Sequence, residues 1–139
     1  MLKSLSWSQF LILGWVVLIS LSYVGKVEGY VYPVITNFTI ERTVSSGIGT
    51  IFWGSFDKVR NCSFNDHYVE YKEDDIYIKV HIQVLETAKI HKTGHQLYGP
   101  WYISVTKDKL SELSFYAEHE CVPFWKTITP MKSTIINEH

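Results

Sequence analysis

Ile76-Tyr77-Ile78-Lys79-Val80-His81-Ile82-Gln83-Val84 alternates without a break. Every even position is Ile or Val, and the odd positions carry Tyr, Lys, His and Gln. Successive side chains on a strand point to opposite faces, so the run predicts one strand with a dry face and a wet face. Shorter stretches follow the same rule. Thr36-Phe38-Ile40 alternates with Asn37-Thr39-Glu41, and Ile48-Thr50-Phe52 leads through Gly54 to Phe56. Trp101-Ile103-Val105 and Leu113-Phe115-Ala117 repeat the pattern nearer the C-terminus.

Turn formers punctuate these runs. Ser45-Ser46-Gly47 divides the first two, Lys72-Glu73-Asp74-Asp75 precedes the quoted strand, and Gly99-Pro100 precedes Trp101. Residues 87–98 read as a polar loop, and Lys107 to Leu113 as at most one helical turn. Six or seven short strands with this punctuation predict an all-β fold: an antiparallel β-sandwich, immunoglobulin-like in architecture, or a small barrel.

The chain has 139 residues, 46% hydrophobic, 15% aromatic and 19% charged, which fits one folded domain and excludes a disordered chain. Thirteen basic residues against 14 acidic ones leave no excess to neutralise phosphates, so nucleic acid is excluded as a partner.

Residues 1–29 differ from the rest. Lys3 and the amino terminus are followed by Phe10 to Val24, 15 residues without a charge. A helix of that length covers only ~22 Å of a ~30 Å hydrocarbon core, which suits a signal peptide, and Val27-Glu28-Gly29 then places a mature start near Tyr30. A retained anchor is the competing reading: residues 5–25 span a membrane, with Trp7 at the interface. Both readings place residues 30–139 outside the cytoplasm, in the periplasm, secreted, or on a cell or virion surface.

Cys62 and Cys121 are the only cysteines, and in an exported domain such a pair predicts a disulfide. An immunoglobulin domain would add a Trp a dozen or so residues after the first cysteine and a Tyr two before the second; acidic residues and His119 stand there instead.

If the bridge forms, strand parity brings Arg60 and His119 beside it. A Cys-His nucleophile or a metal site needs a thiolate, and a bridged sulfur supplies none, so a packed polar pair is the expectation. His91 and His95 stand four apart, but Thr93 and Gly94 make a loop of the segment. His81 falls on a polar strand face. Glu70, Glu73, Asp74 and Asp75 lack the ordered spacing of a calcium loop. No catalytic residue, metal site or cofactor is predicted. Trp53, Tyr77, Tyr102 and Tyr116 take the faces opposite the apolar alternation, where Tyr and Trp favour protein or carbohydrate contacts. Asn37-Phe38-Thr39 and Asn61-Cys62-Ser63 match the N-glycosylation sequon, which matters only in a eukaryotic secretory route.

Three segments together, Gly54 to Phe64, Gly99 to Ile103 and His119 to Thr129, resemble small signal-bearing proteins, mostly uncharacterised, of phage and bacterial genomes. The resemblance spans roughly residues 34–130. It implies an exported β domain with a Cys–Cys link and no known activity. The expectation is a binding or structural role in contact with another protein at an envelope, surface or virion. The alternatives are a small extracytoplasmic enzyme, a hydrolase or thiol-dependent, and a carbohydrate-binding module.

Overall fold

The computed structural model describes residues 6–85 and 92–135. A helix, α1, spans Trp7–Val31. Among the described residues nine strands follow: β1 Ile35–Ser46, β2 Gly49–Lys58, β3 Ser63–Glu73, β4 Ile76–His81, β5 Gln83–Val84, β6 Gly94–Ile103, β7 Ser114–Val122, β8 Trp125–Met131 and β9 Thr134–Ile135. A 3-10 helix at Lys107–Glu112 joins β6 to β7, as the short turn expected there. The chain is thus mostly strands with one N-terminal apolar helix.

The strands form two sheets, ordered β5-β6-β2-β1-β9 and β4-β3-β7-β8. Every pairing is antiparallel except the short contact of β1 with β9. Phe38 of β1 and Phe52 of β2 reach Phe115 of β7, with ring centroids 5.4 and 5.8 Å apart, so aromatic rings of both sheets meet in one core. Burying each such ring contributes ~2–3 kcal/mol. Leu113, Phe115 and Ala117 point inward together, as do Trp101, Ile103 and Val105.

The quoted run 76–84 is not one strand. Ile76 to His81 pair with β3, whereas Gln83 and Val84 pair with β6 in the other sheet. The chain changes sheets at Ile82, whose side chain is buried and whose N–H donates to the His67 carbonyl at 3.4 Å. Parity survives at the centre of the run, while Ile76 and Val84 are exposed at its ends. Alternation reports which face a residue takes and is blind to which sheet it belongs to.

Two further differences have local causes. β3 is an 11-residue strand where only a turn cluster was expected. A register shift between Phe64 and Asp66 breaks its alternation and hides it. Its hairpin to β4 turns on Asp74 and Asp75, both at positive φ (48° and 64°), the backbone that two-residue hairpins require. β6 begins at Gly94, so Gly94 to Tyr98 of the expected loop are strand.

Cys62 and Cys121 are bridged, with Cα atoms 4.6 Å apart. Ser63 pairs with Glu120, so the bridge continues the β3–β7 ladder by one rung and lies within one sheet. It closes 59 residues of chain, which by loop entropy stabilises by ~4 kcal/mol at most. Replacing both cysteines by Ala is expected to lower the free energy of unfolding by ~2–4 kcal/mol, read from the urea midpoint of the oxidised wild type against the variant.

Candidate functional site at the helix–strand junction

From Trp7 to Val24 the helix carries no charged residue, and its large apolar side chains are exposed. Its hydroxyls turn inward on the helix itself: Ser20 Oγ donates to the Val16 carbonyl (2.7 Å) and Ser22 Oγ to the Ile19 carbonyl (2.6 Å). Such internal pairing lets a polar side chain sit in an apolar medium. Lys26 and Glu28 are the first charges after this run.

There the helix meets the β body. Gly25 and Gly29 are its buried residues, and the nearest atoms to their Cα faces are the Lys126 and Ile128 carbonyl oxygens of β8. A Cβ at either glycine would collide with those carbonyls. Residues four apart share a helix face, and residues two apart share a strand side, so Gly25-x-x-x-Gly29 matches Lys126-x-Ile128 backbone to backbone. β8 is the outermost strand of its sheet, and α1 covers it as proteins commonly cover an open edge.

Glu28 fastens this contact. Its Oε2 accepts from Trp125 Nε1 (2.7 Å) and Thr127 Oγ1 (2.8 Å) of β8. Its Oε1 takes Arg60 Nη2 at 2.8 Å. Arg60 Nη1 also donates to the Tyr32 carbonyl at 2.8 Å, just past the helix end. The Arg60–Glu28 pair is partly buried and shares its carboxylate with two neutral donors, a stronger arrangement than an exposed ion pair. The Val34 N–H donates to Thr129 Oγ1 at 3.1 Å, continuing the seam into β1.

Arg60 therefore faces the helix, and its expected companion His119 is placed differently. His119 continues the inward parity of Phe115 and Ala117 and is fully buried, edge-on to Phe64. His67 of β3 is buried against Trp101, ring centroids 3.9 Å apart. Among the described residues neither imidazole has a hydrogen-bond partner. Burial pushes His67 down to about 4, with Asp66 opposing and His81 adding to it. Burial also pushes His119 down to about 4, aided by the Lys58 and Arg60 cations. Lys58 is itself buried, its Nζ donating to the Cys62 carbonyl at 2.7 Å, and burial lowers its pKa. With both sulfurs bridged, this cluster holds no thiolate.

The other candidates are scattered. Trp53 and Tyr102 lie on β2 and β6 of one sheet, and Tyr77 and Tyr116 on β4 and β7 of the other, so the four do not form one patch. Arg42 stacks over Trp53 at 4.9 Å, and Tyr116 stacks on the buried Tyr68 at 5.3 Å. Tyr77 is exposed. His81 Nδ1 lies 3.1 Å from Asp66, and His95 Nδ1 2.8 Å from Asp57, whose carboxyl is held low mainly by the Asn37 amide. His91 lies outside the described residues. Glu70 is on β3, away from the Asp74–Asp75 turn, where Lys72 pairs with Asp75. Among the described residues no group of three or more His, Cys, Asp or Glu stands close enough to hold a metal ion. Asn61 is exposed in the β2–β3 connection.

The sequence reading gives Glu28 and Gly29 only as part of a cleavage site and does not join them to Gly25, Trp125 and Thr127. The signal was there in Gly25-x-x-x-Gly29, which encloses the one carboxylate of the helix, Glu28. Comparison with protein-family models, with curated proteins and with solved structures found no match.

Two outcomes follow from this geometry. Gly29→Leu is expected to lift the helix end off β8, seen as faster protease cutting around Tyr30 to Val34, while Gly14→Leu, with open space around it, leaves that region protected. The buried imidazoles set a pH dependence. The folded chain holds them neutral to about pH 4, whereas the unfolded chain protonates them near their ordinary 6.5. Keeping them unprotonated costs nothing above pH 6.5, and the penalty grows as pH falls towards 4, to the order of 3 kcal/mol for each. The urea midpoint should drop between pH 7 and pH 4.5, and His119→Phe should shrink that drop.

Proposed function

We propose that the chain is a single-pass membrane protein whose β body stands outside the cytoplasm on a retained helix, and that it works by contact with another protein. The observation that carries this reading is the docking of Gly25, Glu28 and Gly29 on β8 and Arg60. A cut after Gly29 would fall inside a helix that continues to Val31 and is packed against a strand, whereas proteolytic processing favours exposed, irregular backbone. Trp7 to Val24 spans ~27 Å, close to the ~30 Å of a hydrocarbon core. The disulfide favours an oxidising compartment, which supports the extracytoplasmic side for the body.

The body is read as an immunoglobulin-type sandwich. β5-β6-β2-β1 opposite β4-β3-β7-β8, with consecutive hairpins alternating between sheets, is the Greek-key order of that architecture. Its bridge within one sheet and the absence of the Trp and Tyr signatures separate it from antibody domains. Protein contact is favoured by the end of the body away from the helix, where Ile48, Ile76 and Tyr77 are exposed on the β1–β2 and β3–β4 hairpins. The phage and bacterial resemblance fits an envelope or virion setting. A thiol-dependent enzyme lacks its nucleophile, and a carbohydrate platform is weakened by the dispersal of the four aromatics.

Fractionation of the native host tests the anchor. The expected result is the intact chain, including Met1 to Gly29, in alkali-washed membranes, with the body digested only by protease added from outside. A soluble species beginning near Tyr30 would overturn it. For the partner, a photo-crosslinking side chain at position 77 should give a discrete protein adduct in living cells that the same group at position 97, exposed on the other sheet, does not.

A further inference from the structure

We infer that the β7–β8 turn, Pro123-Phe124, enters the outer face of the lipid bilayer beside α1, as a second and shallower point of attachment. This rests on the reading of α1 as a retained span. The argument starts from register. Gly25 touches Lys126 and Gly29 touches Ile128, so helix and strand run side by side in the same direction. Four helical residues advance ~6 Å and two strand residues ~6.6 Å, so the two keep step. Going back from Lys126 to Phe124 moves ~7 Å towards the helix N-terminus, level with about Leu21. Leu21 belongs to the uncharged part of α1 and lies ~7 Å on the membrane side of Lys26, the first charge after that run.

The turn has the chemistry that level demands. Cys121-Val122-Pro123-Phe124-Trp125 contains no charge. Phe124 is 79% exposed, among the most exposed apolar residues of the β body. Pro123 has no N–H to leave unpaired, and Val122 pairs with Trp125 across the turn. Two neighbouring polar groups are engaged on the side away from the bilayer, Trp125 Nε1 with Glu28 and Lys126 Nζ with Glu118 at 2.7 Å, and the exposed Glu120 precedes the turn. Tyr23, on the helix near the same level, is exposed and suited to the headgroup zone. The β3–β4 turn at the opposite end carries Glu73, Asp74 and Asp75 and could not enter lipid. An aromatic tip on an uncharged turn, held at interface depth by a docked helix, is a lipid contact.

The test uses the full chain in phosphatidylcholine–phosphatidylglycerol vesicles, with an environment-sensitive fluorophore on one introduced thiol at a time: Phe124→Cys, Val17→Cys in the span, and Ile48→Cys on the far β1–β2 turn. The native bridge stays oxidised, so only the new thiol reacts. Spin-labelled phosphatidylcholine is expected to quench the probes at 17 and 124 and to spare the probe at 48. Quenching at 17 without quenching at 124 overturns the inference and leaves the anchor standing. Quenching at all three overturns it as well, because the body would then lie flat on the membrane. No quenching at 17 removes the span and this inference with it.

Discussion

Where helix α1 meets strand β8, two backbones touch. Side chains normally hold helix and sheet ~10 Å apart, and here glycine at 25 and 29 removes them. The carbonyls of Lys126 and Ile128 gain Cα–H neighbours in place of an open edge. The contact depends on shape and tolerates no Cβ. Glu28 adds direction by joining the same stretch of helix to Trp125, Thr127 and Arg60. Arg60 stands two residues before Cys62, so the junction, the disulfide and the buried Lys58 form one connected base for the β body.

That base gathers the buried basic side chains among the described residues. Lys58, His67 and His119 are buried within a few residues of the bridge, and only Lys58 has a hydrogen-bond partner among the described residues. Unpaired buried imidazoles cost stability, and the bridge offsets such a cost by limiting the unfolded chain.

The fold was legible where alternation and sheet membership coincide. Phe115 and Ala117, and Trp101 and Ile103, face inward as their spacing predicts. Spacing also carries His119 inward, although chemistry would place an imidazole at a surface or a site. The reading failed where a local irregularity breaks the period: at the bulge after Phe64, which concealed β3, and at Ile82, where an unbroken pattern runs through a change of sheet. The junction was illegible for another reason. Dividing the chain between Gly29 and Tyr30 treated the N-terminal segment as separable. The partner of Arg60 lies in that segment. An ion pair between residues 28 and 60 leaves no trace in the local pattern of either.

The continuous course of the chain from helix to strand has a mechanical consequence. α1, β8 and β1 all lead away from the same end of the body, and the link from Tyr32 to Val34 is short. Tension between α1 and a load at the far hairpins would pass along β1, at right angles to its hydrogen bonds with β2. Those bonds would be sheared together instead of being peeled one after another. An arrangement of this kind is stiff along its pulling axis.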